Sequence, residues 1–342
     1  MTRMSWADMH ARRAVRSSLV ERVPRERMVD VVGDVCGIHA QVMTAAEASI
    51  AARVDGLTRA DVQAALWTDR TLVKASTLRG TLHLHPAREL PLWMAAAGYG
   101  REWEDERWLA QRGMKREQAD AVLAAIGDAL DGRALTWNEL GDEVVRRAGR
   151  WAARPLPFVK FGHVAPRWSD LLGAAASTGR LCYGPNRGRN VTFVRADQWI
   201  GSWEAVDRDH ALVEVLRRYL RAYGPATPAE FAHWLAAPDD RARNAFTALG
   251  PELVEVDVEG YRAWLLAADV PRRARTQVRF VRLLPAYDCY VIGAGAVGVQ
   301  RERLIPPDFR KRVFDRGAGP FPALVVDGTV AGVWQRRDQG TR

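Results

Sequence analysis

At 342 residues with a net charge of +9, the chain is longer than one typical core requires and is expected to divide into about two to four modules. No run approaches the roughly 18 to 20 apolar residues of a membrane span, and residues 1–16 lack the apolar centre of a signal peptide, so a cytoplasmic protein is expected. Three scattered cysteines, Cys36, Cys182 and Cys289, fit neither a disulfide framework nor a Cys-x-x-Cys site, and the seven His residues form no His-Glu-x-x-His pattern, so metal catalysis has little support.

Ser5 can cap a helix running to Val20, and Pro24 sits where a second helix can start before Met28, Val31, Val32 and Val35. Gly37 interrupts that helix. His39 and Gln41 then stand two apart, which places them on one side of an extended segment but about 200° apart on a helix. Thr44 to Arg53 reads as helix, Thr58 caps Arg59 to Trp67, and the alternating stretch Leu72 to His85 predicts a hairpin or bulged strand about Arg79-Gly80, closed by Pro86.

From Arg101 to Leu130 the sequence is charged and helical, and Thr136 with Glu139 forms the capping box of a short helix. Arg167 to Thr178 predicts another helix, followed by strand, basic turn and strand over 179–194, with Arg187 and Arg189 at the tip. His210 to Tyr223, a helix started by Thr227-Pro228-Ala229-Glu230, and Asp239 to Leu249 precede a hairpin turning at Glu259-Gly260. Beyond Arg272-Arg273-Ala274-Arg275, Val278 to Leu284, Tyr287 to Ile292, Ala323 to Val326 and Thr329 to Trp334 read as strands. Helices followed by a hairpin thus occur three times, the pattern of a winged helix. The expected architecture is mainly α with β (α+β): three tandem winged-helix units over 1–100, 101–205 and 206–272, then a small C-terminal β domain over 273–342.

Gly293-Ala294-Gly295-Ala296-Val297-Gly298 matches a dinucleotide-binding pattern after an apolar strand, but Pro306-Pro307 follows soon and too little chain remains for a βαβ unit, so it reads as a glycine-rich loop. Small-molecule binding at that loop is the weakest functional alternative. The basic residues are nearly all Arg, with Lys only at 74, 115, 160 and 311. Guanidinium forks suit phosphate contact, so Arg187 and Arg189 read either as a phosphate-gripping wing or as a solvated loop, and Arg272, Arg273 and Arg275 as a basic linker. Taken alone, His39 and Gln41 read as a satisfied structural imidazole and a capping amide sooner than as catalysts.

Four segments read together change the weight of that pair: Gly37-Ile38-His39-Ala40-Gln41, Leu78-Arg79-Gly80-Thr81-Leu82-His83, Leu284-Pro285-Ala286-Tyr287-Asp288, and Val326-Asp327-Gly328-Thr329-Val330-Ala331-Gly332-Val333-Trp334. In these segments the chain resembles the bacterial winged-helix DNA glycosylases of the AlkZ and YcaQ type, which unhook bulky alkylpurine adducts and interstrand crosslinks. The AlkZ-like branch carries Gln, an apolar residue and Gln at its catalytic motif, and the YcaQ branch Gln-x-Asp. Gln41 takes the place of the second Gln, whereas His39 departs from the first.

The resemblance implies a monofunctional, metal-independent DNA N-glycosylase without cofactor. Its partner would be double-stranded DNA containing alkylated purines, with no membrane involved, and it would work as a monomer near the nucleoid in alkylation repair or self-resistance to a DNA-damaging compound. His39 and Gln41 would be catalytic, with Arg79, Thr81, His83, Arg187 and Arg189 contacting DNA. An N-alkylated purine leaves without strong acid catalysis, so Gln41 need only hold a water at the anomeric carbon, and His39 helps only when neutral. The alternative is a non-catalytic winged-helix DNA-binding or regulatory protein.

Overall fold

The computed structural model describes residues 2–97, 102–159, 162–270, 278–294, 298–314 and 321–335. Arg272, Arg273 and Arg275 of the expected linker, and Gly295, Ala296 and Val297 of the glycine-rich loop, lie outside them. The fold is mixed α and β, rich in helix, and the chain forms two compact units. One comprises Met1–Val62, Val213–Trp234 and Pro238–Arg342; the other comprises Gln63–Leu212 and Leu235–Ala237. This division by compactness follows different boundaries from the division by motif.

Helix starts are set by reciprocal caps. Ser5 and Asp8 close a capping box on helix Trp6–Arg16, which ends before the expected Val20. The Thr58 amide and hydroxyl both donate to Asp61 at the head of Arg59–Trp67, and the Thr227 amide donates to Glu230 at the head of Pro228–Leu235. Each box satisfies amides that the first helical turn leaves without partners.

In the first unit, helix Trp6–Arg16 feeds two apolar clusters. Trp6 and Met9 pack with Val256, Val258 and Leu265, while Ala14 joins Leu284, Tyr290, Val325 and Val330. Strands Leu253–Val258 and Tyr261–Leu266 pair in register about Val258↔Tyr261, and Thr2–Met4 adds to Leu253–Val258 as a parallel third strand. Positive φ at Glu259 and Gly260 makes the tight hairpin turn that their sequence predicts. Val281–Leu284, Ala323–Val326 and Thr329–Val333 form a second three-stranded sheet, turning at Asp327-Gly328.

Tyr287 to Ile292 is not the expected strand: Cys289–Ala294 is a helix. Asp288 supplies the reason, since its carboxylate accepts the Tyr290 amide at 2.9 Å and its carbonyl the Ile292 amide, a cap that overrides the strand-like composition. The glycine-rich pattern therefore begins inside a helix, which removes the strand that a dinucleotide site needs. Helices Gly298–Leu304 and Pro307–Val313 make this C-terminal region α and β together, where only strands were expected.

In the second unit, strands Leu72–Ser76 and Leu82–Pro86 form the hairpin expected about Arg79-Gly80. Cys182–Arg187 and Asn190–Val194 form another, and the pairing of Lys74 with Tyr183 joins both hairpins in one antiparallel sheet. Leu135–Thr136 extends its far edge. Helices Arg116–Ala129, Trp137–Ala148 and Leu172–Ser177 pack Val122, Ile126, Leu140, Val144 and Ala175 against Leu181 and Phe193. Among the described residues no helix is long and apolar enough to cross a membrane.

Gly328 and Gly260 share nearly the same positive φ, but only at Gly328 would a side chain strike a neighbour, with a Cβ 2.8 Å from His10 Cβ and 3.3 Å from its backbone. Gly328→Ala is therefore expected to cost about 1–3 kcal/mol and more than Gly260→Ala. Urea melts of the two variants check this, and equal losses would refute the steric part of the argument.

Candidate active site

Helix Met28–Asp34 ends in two consecutive left-handed residues, Cys36 (φ 61°) and Gly37 (φ 94°). Their amides bond back to Gly33 and Val32, both at 2.9 Å, and the chain leaves the helix as the extended pair Ile38–His39. The Tyr223 hydroxyl fixes the exit by donating to the Val35 carbonyl at 2.6 Å. Ile38, His39 and Ala40 are buried, whereas Gln41 and Val42 are exposed before helix Met43–Ala51 begins. Within three residues the segment passes from an enclosed imidazole to a carboxamide open to solvent.

The His39 ring, 7% exposed, stacks on Tyr287 with centroids 4.7 Å apart and planes 15° from parallel. Tyr287 itself is left-handed at φ 62°, a conformation that a bulky residue holds only under constraint. The constraint lies next door. Fully buried Asp288 accepts two parallel hydrogen bonds from Arg53 at 2.8 Å each and one from the Ser49 hydroxyl at 2.6 Å. Burial alone would raise the Asp288 carboxyl, but the Arg53 charge and these hydrogen bonds hold it below the usual carboxylate range. Burial likewise would lower the Arg53 guanidinium, and Asp288 reverses that.

In the second unit, Arg79 (φ 54°) and Gly80 (φ 68°) turn the first hairpin. Thr81 donates to the Leu78 carbonyl at 3.1 Å, and His83 Nδ1 lies 3.1 Å from the Thr81 carbonyl. Because a carbonyl only accepts, that contact puts a proton on Nδ1. His83 is buried, while Arg79 and Thr81 are half-buried. His85, in the same strand, bonds Thr77 at 2.9 Å and stacks on Trp93 at 4.7 Å.

At the other hairpin, Arg187 is held at both ends of the Glu139 carboxylate, at 2.9 and 2.7 Å, and also donates to the Ala134 carbonyl. Arg189 sits exposed at the tip beside Gly188. Glu139 is the same carboxylate that caps Thr136, and the hydrogen bonds from Arg187 and then Thr136 lower its pKa to about 2.

Of the residues singled out in the sequence, His39 and Gln41 thus belong to one unit, and Arg79, Thr81, His83, Arg187 and Arg189 to the other. Tyr287, Asp288 and Arg53 had no assigned role in the sequence, although Tyr287-Asp288 lies in one of the resembling segments. Burial pushes the Cys182 and Cys289 thiols up, to about 12 and about 11, so neither is a ready nucleophile. Lys74, also unassigned, is buried under the Tyr183 ring with its pKa lowered by desolvation. No group of three His, Cys, Asp or Glu among the described residues is arranged to hold a metal ion.

Comparison with known proteins places the chain in the class of DNA glycosylases. It belongs to the AlkZ-like DNA glycosylase family, whose sequence model matches residues 32–342. It is 34% identical over 342 residues to the interstrand DNA cross-link repair glycosylase of Streptomyces sahachiroi, covering 98% of this chain and 89% of that one. The fold is similar to that of the solved Streptomyces sahachiroi DNA glycosylase AlkZ, with a TM-score of 0.84 and 32% identity across 99% of this chain and 90% of that one.

Asp288→Ala leaves the Arg53 charge buried without its carboxylate and is expected to cost about 3–5 kcal/mol of stability. Since the folded carboxyl is depressed, the pair's contribution is complete above the unfolded value of about 3.9 and is lost as pH falls through the folded one. Denaturant titration at neutral pH is the measurement, and a loss under about 1 kcal/mol would contradict this account.

Proposed function

We propose that this protein hydrolyses the N-glycosidic bond of bulky N-alkylated purines in duplex DNA, crosslinks included, by attack of water at the anomeric carbon. The carrying observation is Gln41, a carboxamide exposed immediately after buried segment 38–40 and two residues along the chain from an imidazole stacked on Tyr287. The cross-link repair named for the Streptomyces sahachiroi relative supports the substrate class.

An N-alkylated purine already carries positive charge, so it departs with its bonding electrons and leaves an oxocarbenium-like sugar. Gln41 orients the water through its carbonyl oxygen without adding a charge, and neutral His39 accepts from the same water. A protonated His39 would repel both the base and the sugar. Arg79, Thr81 and His83 approach the duplex from the first hairpin and Arg189 from the second. Arg187 contributes chiefly by fixing that hairpin, because a phosphate has to compete with Glu139 for it. The three hairpins, each preceded in sequence by helices, support reading 1–100, 101–205 and 206–272 as winged-helix units and 273–342 as a C-terminal domain.

A second reading, a DNA-binding protein without catalysis, is favoured by one observation: His39 is buried and stacked in the manner of a core histidine.

Incubation with duplex carrying N7-alkylguanine, followed by alkaline cleavage of abasic sites, distinguishes the two. Wild type is expected to release the base, and Gln41→Ala to lower the rate about 100-fold. The wild-type rate is expected to fall on acidification as His39 gains its proton, and that fall should vanish in His39→Gln. No release from any alkylated duplex would favour the second reading. Borohydride is expected to trap no covalent adduct, whereas an adduct that disappears in Lys74→Gln would replace direct water attack with Schiff-base chemistry.

A further inference from the structure

Residues 144–169 carry six Arg or Lys and no Asp or Glu. Arg146 and Arg147 are paired with Glu143, but Arg150 and Arg154 are exposed. Beyond them residues 154–156 and 165–167 pair as the base of a narrow antiparallel ribbon. Pro155 bridges Pro166, the Leu156 amide donates to Ala165, and the Arg167 amide donates to Arg154, the last two at 2.9 Å. The base of the ribbon is fixed. Arg167 donates to the Gly113 and Pro155 carbonyls, and Phe158 lies under Arg112, which is itself stacked on Trp108 and held by Asp170.

Beyond that anchor stand Val159, 65% exposed, and Val164, 61% exposed. They are the most exposed large apolar residues on the second unit among the described residues. Bare apolar side chains beyond an anchored base that carries Arg150 and Arg154 cost solvation in the free protein. It matches the chemistry of a duplex, whose phosphates take the cations and whose base steps take apolar wedges.

We propose that this ribbon is a DNA-contacting wedge: Val159 and Val164 enter a groove and press on a base step, while Arg150 and Arg154 hold the flanking phosphates. The inference rests on duplex DNA being the partner, as proposed above. It adds an interaction separate from Gln41 and from the two hairpin turns. Partial unstacking there makes no demand on the water-positioning residues.

The test uses the full chain and an unmodified duplex containing 2-aminopurine, with binding followed by anisotropy across a salt series. Val159→Ser with Val164→Ser, both at exposed positions, is expected to weaken binding roughly 10-fold and abolish the 2-aminopurine fluorescence rise while leaving the salt slope unchanged. Arg150→Gln with Arg154→Gln should reduce the slope of log affinity against log salt by about 1.8, about 0.9 for each phosphate no longer neutralised. Wild type that binds duplex no better than either double variant, at the same slope, overturns the wedge alone. Failure of the wild type to bind any duplex overturns the wedge together with the DNA reading beneath it. A wild-type dimer in sedimentation equilibrium, absent in the valine variant while DNA binding is kept, would assign the ribbon to a second copy of the chain instead.

Discussion

The buried pair between Arg53 and Asp288 is the constraint on which the His39 region depends. Two charges removed from water are costly unless each hydrogen-bonding position finds a partner. Here the carboxylate takes both terminal guanidinium nitrogens, the Ser49 hydroxyl and the Tyr290 amide, and Arg53 also donates to the Ser49 carbonyl, which leaves its Nε as the unsatisfied position. The pair joins the chain just past the end of helix Met43–Ala51 to a segment 235 residues further along. Because Asp288 is both ion-pair partner and helix cap, it leaves its neighbour little choice of backbone. Tyr287 takes its left-handed conformation there and presents its ring to His39.

The second unit uses the same economy with a surface carboxylate. Glu139 caps its own helix and grips Arg187 across the sheet edge, so one side chain sets a helix start and the bearing of a hairpin. As an exposed pair it adds little to stability. Its effect is geometric, because the hairpin tip with Arg189 is carried on a strand whose last residue is tied down.

Much of the fold was legible because it is written in local chemistry. Capping boxes at Ser5, Thr58, Thr136 and Thr227 and the turns at Glu259-Gly260 and Asp327-Gly328 depend on residues no more than three apart. The failures are non-local or conflicting. Tyr287 to Ile292 has strand-like composition, but one capping aspartate makes it helical. Thr2–Met4 gives no sign of pairing with a strand some 250 residues away. At the site, Gly37 announced the helix exit that places His39 and Gln41 in an extended segment. The ring beneath His39 was hidden, since stacking between residues 39 and 287 has no periodicity to betray it.

The first unit is assembled from both ends of the chain, whereas the second is nearly continuous from Gln63 to Leu212. During synthesis this imposes an order. The second unit has all but three of its residues out of the ribosome while strand Thr2–Met4 still lacks its partner Leu253–Val258 and Arg53 still lacks Asp288. At roughly 5–20 residues per second, the N-terminal segment waits on the order of ten seconds or more with the apolar face of its helix uncovered. The segment carrying His39 is therefore made before the second unit and locked in place after it.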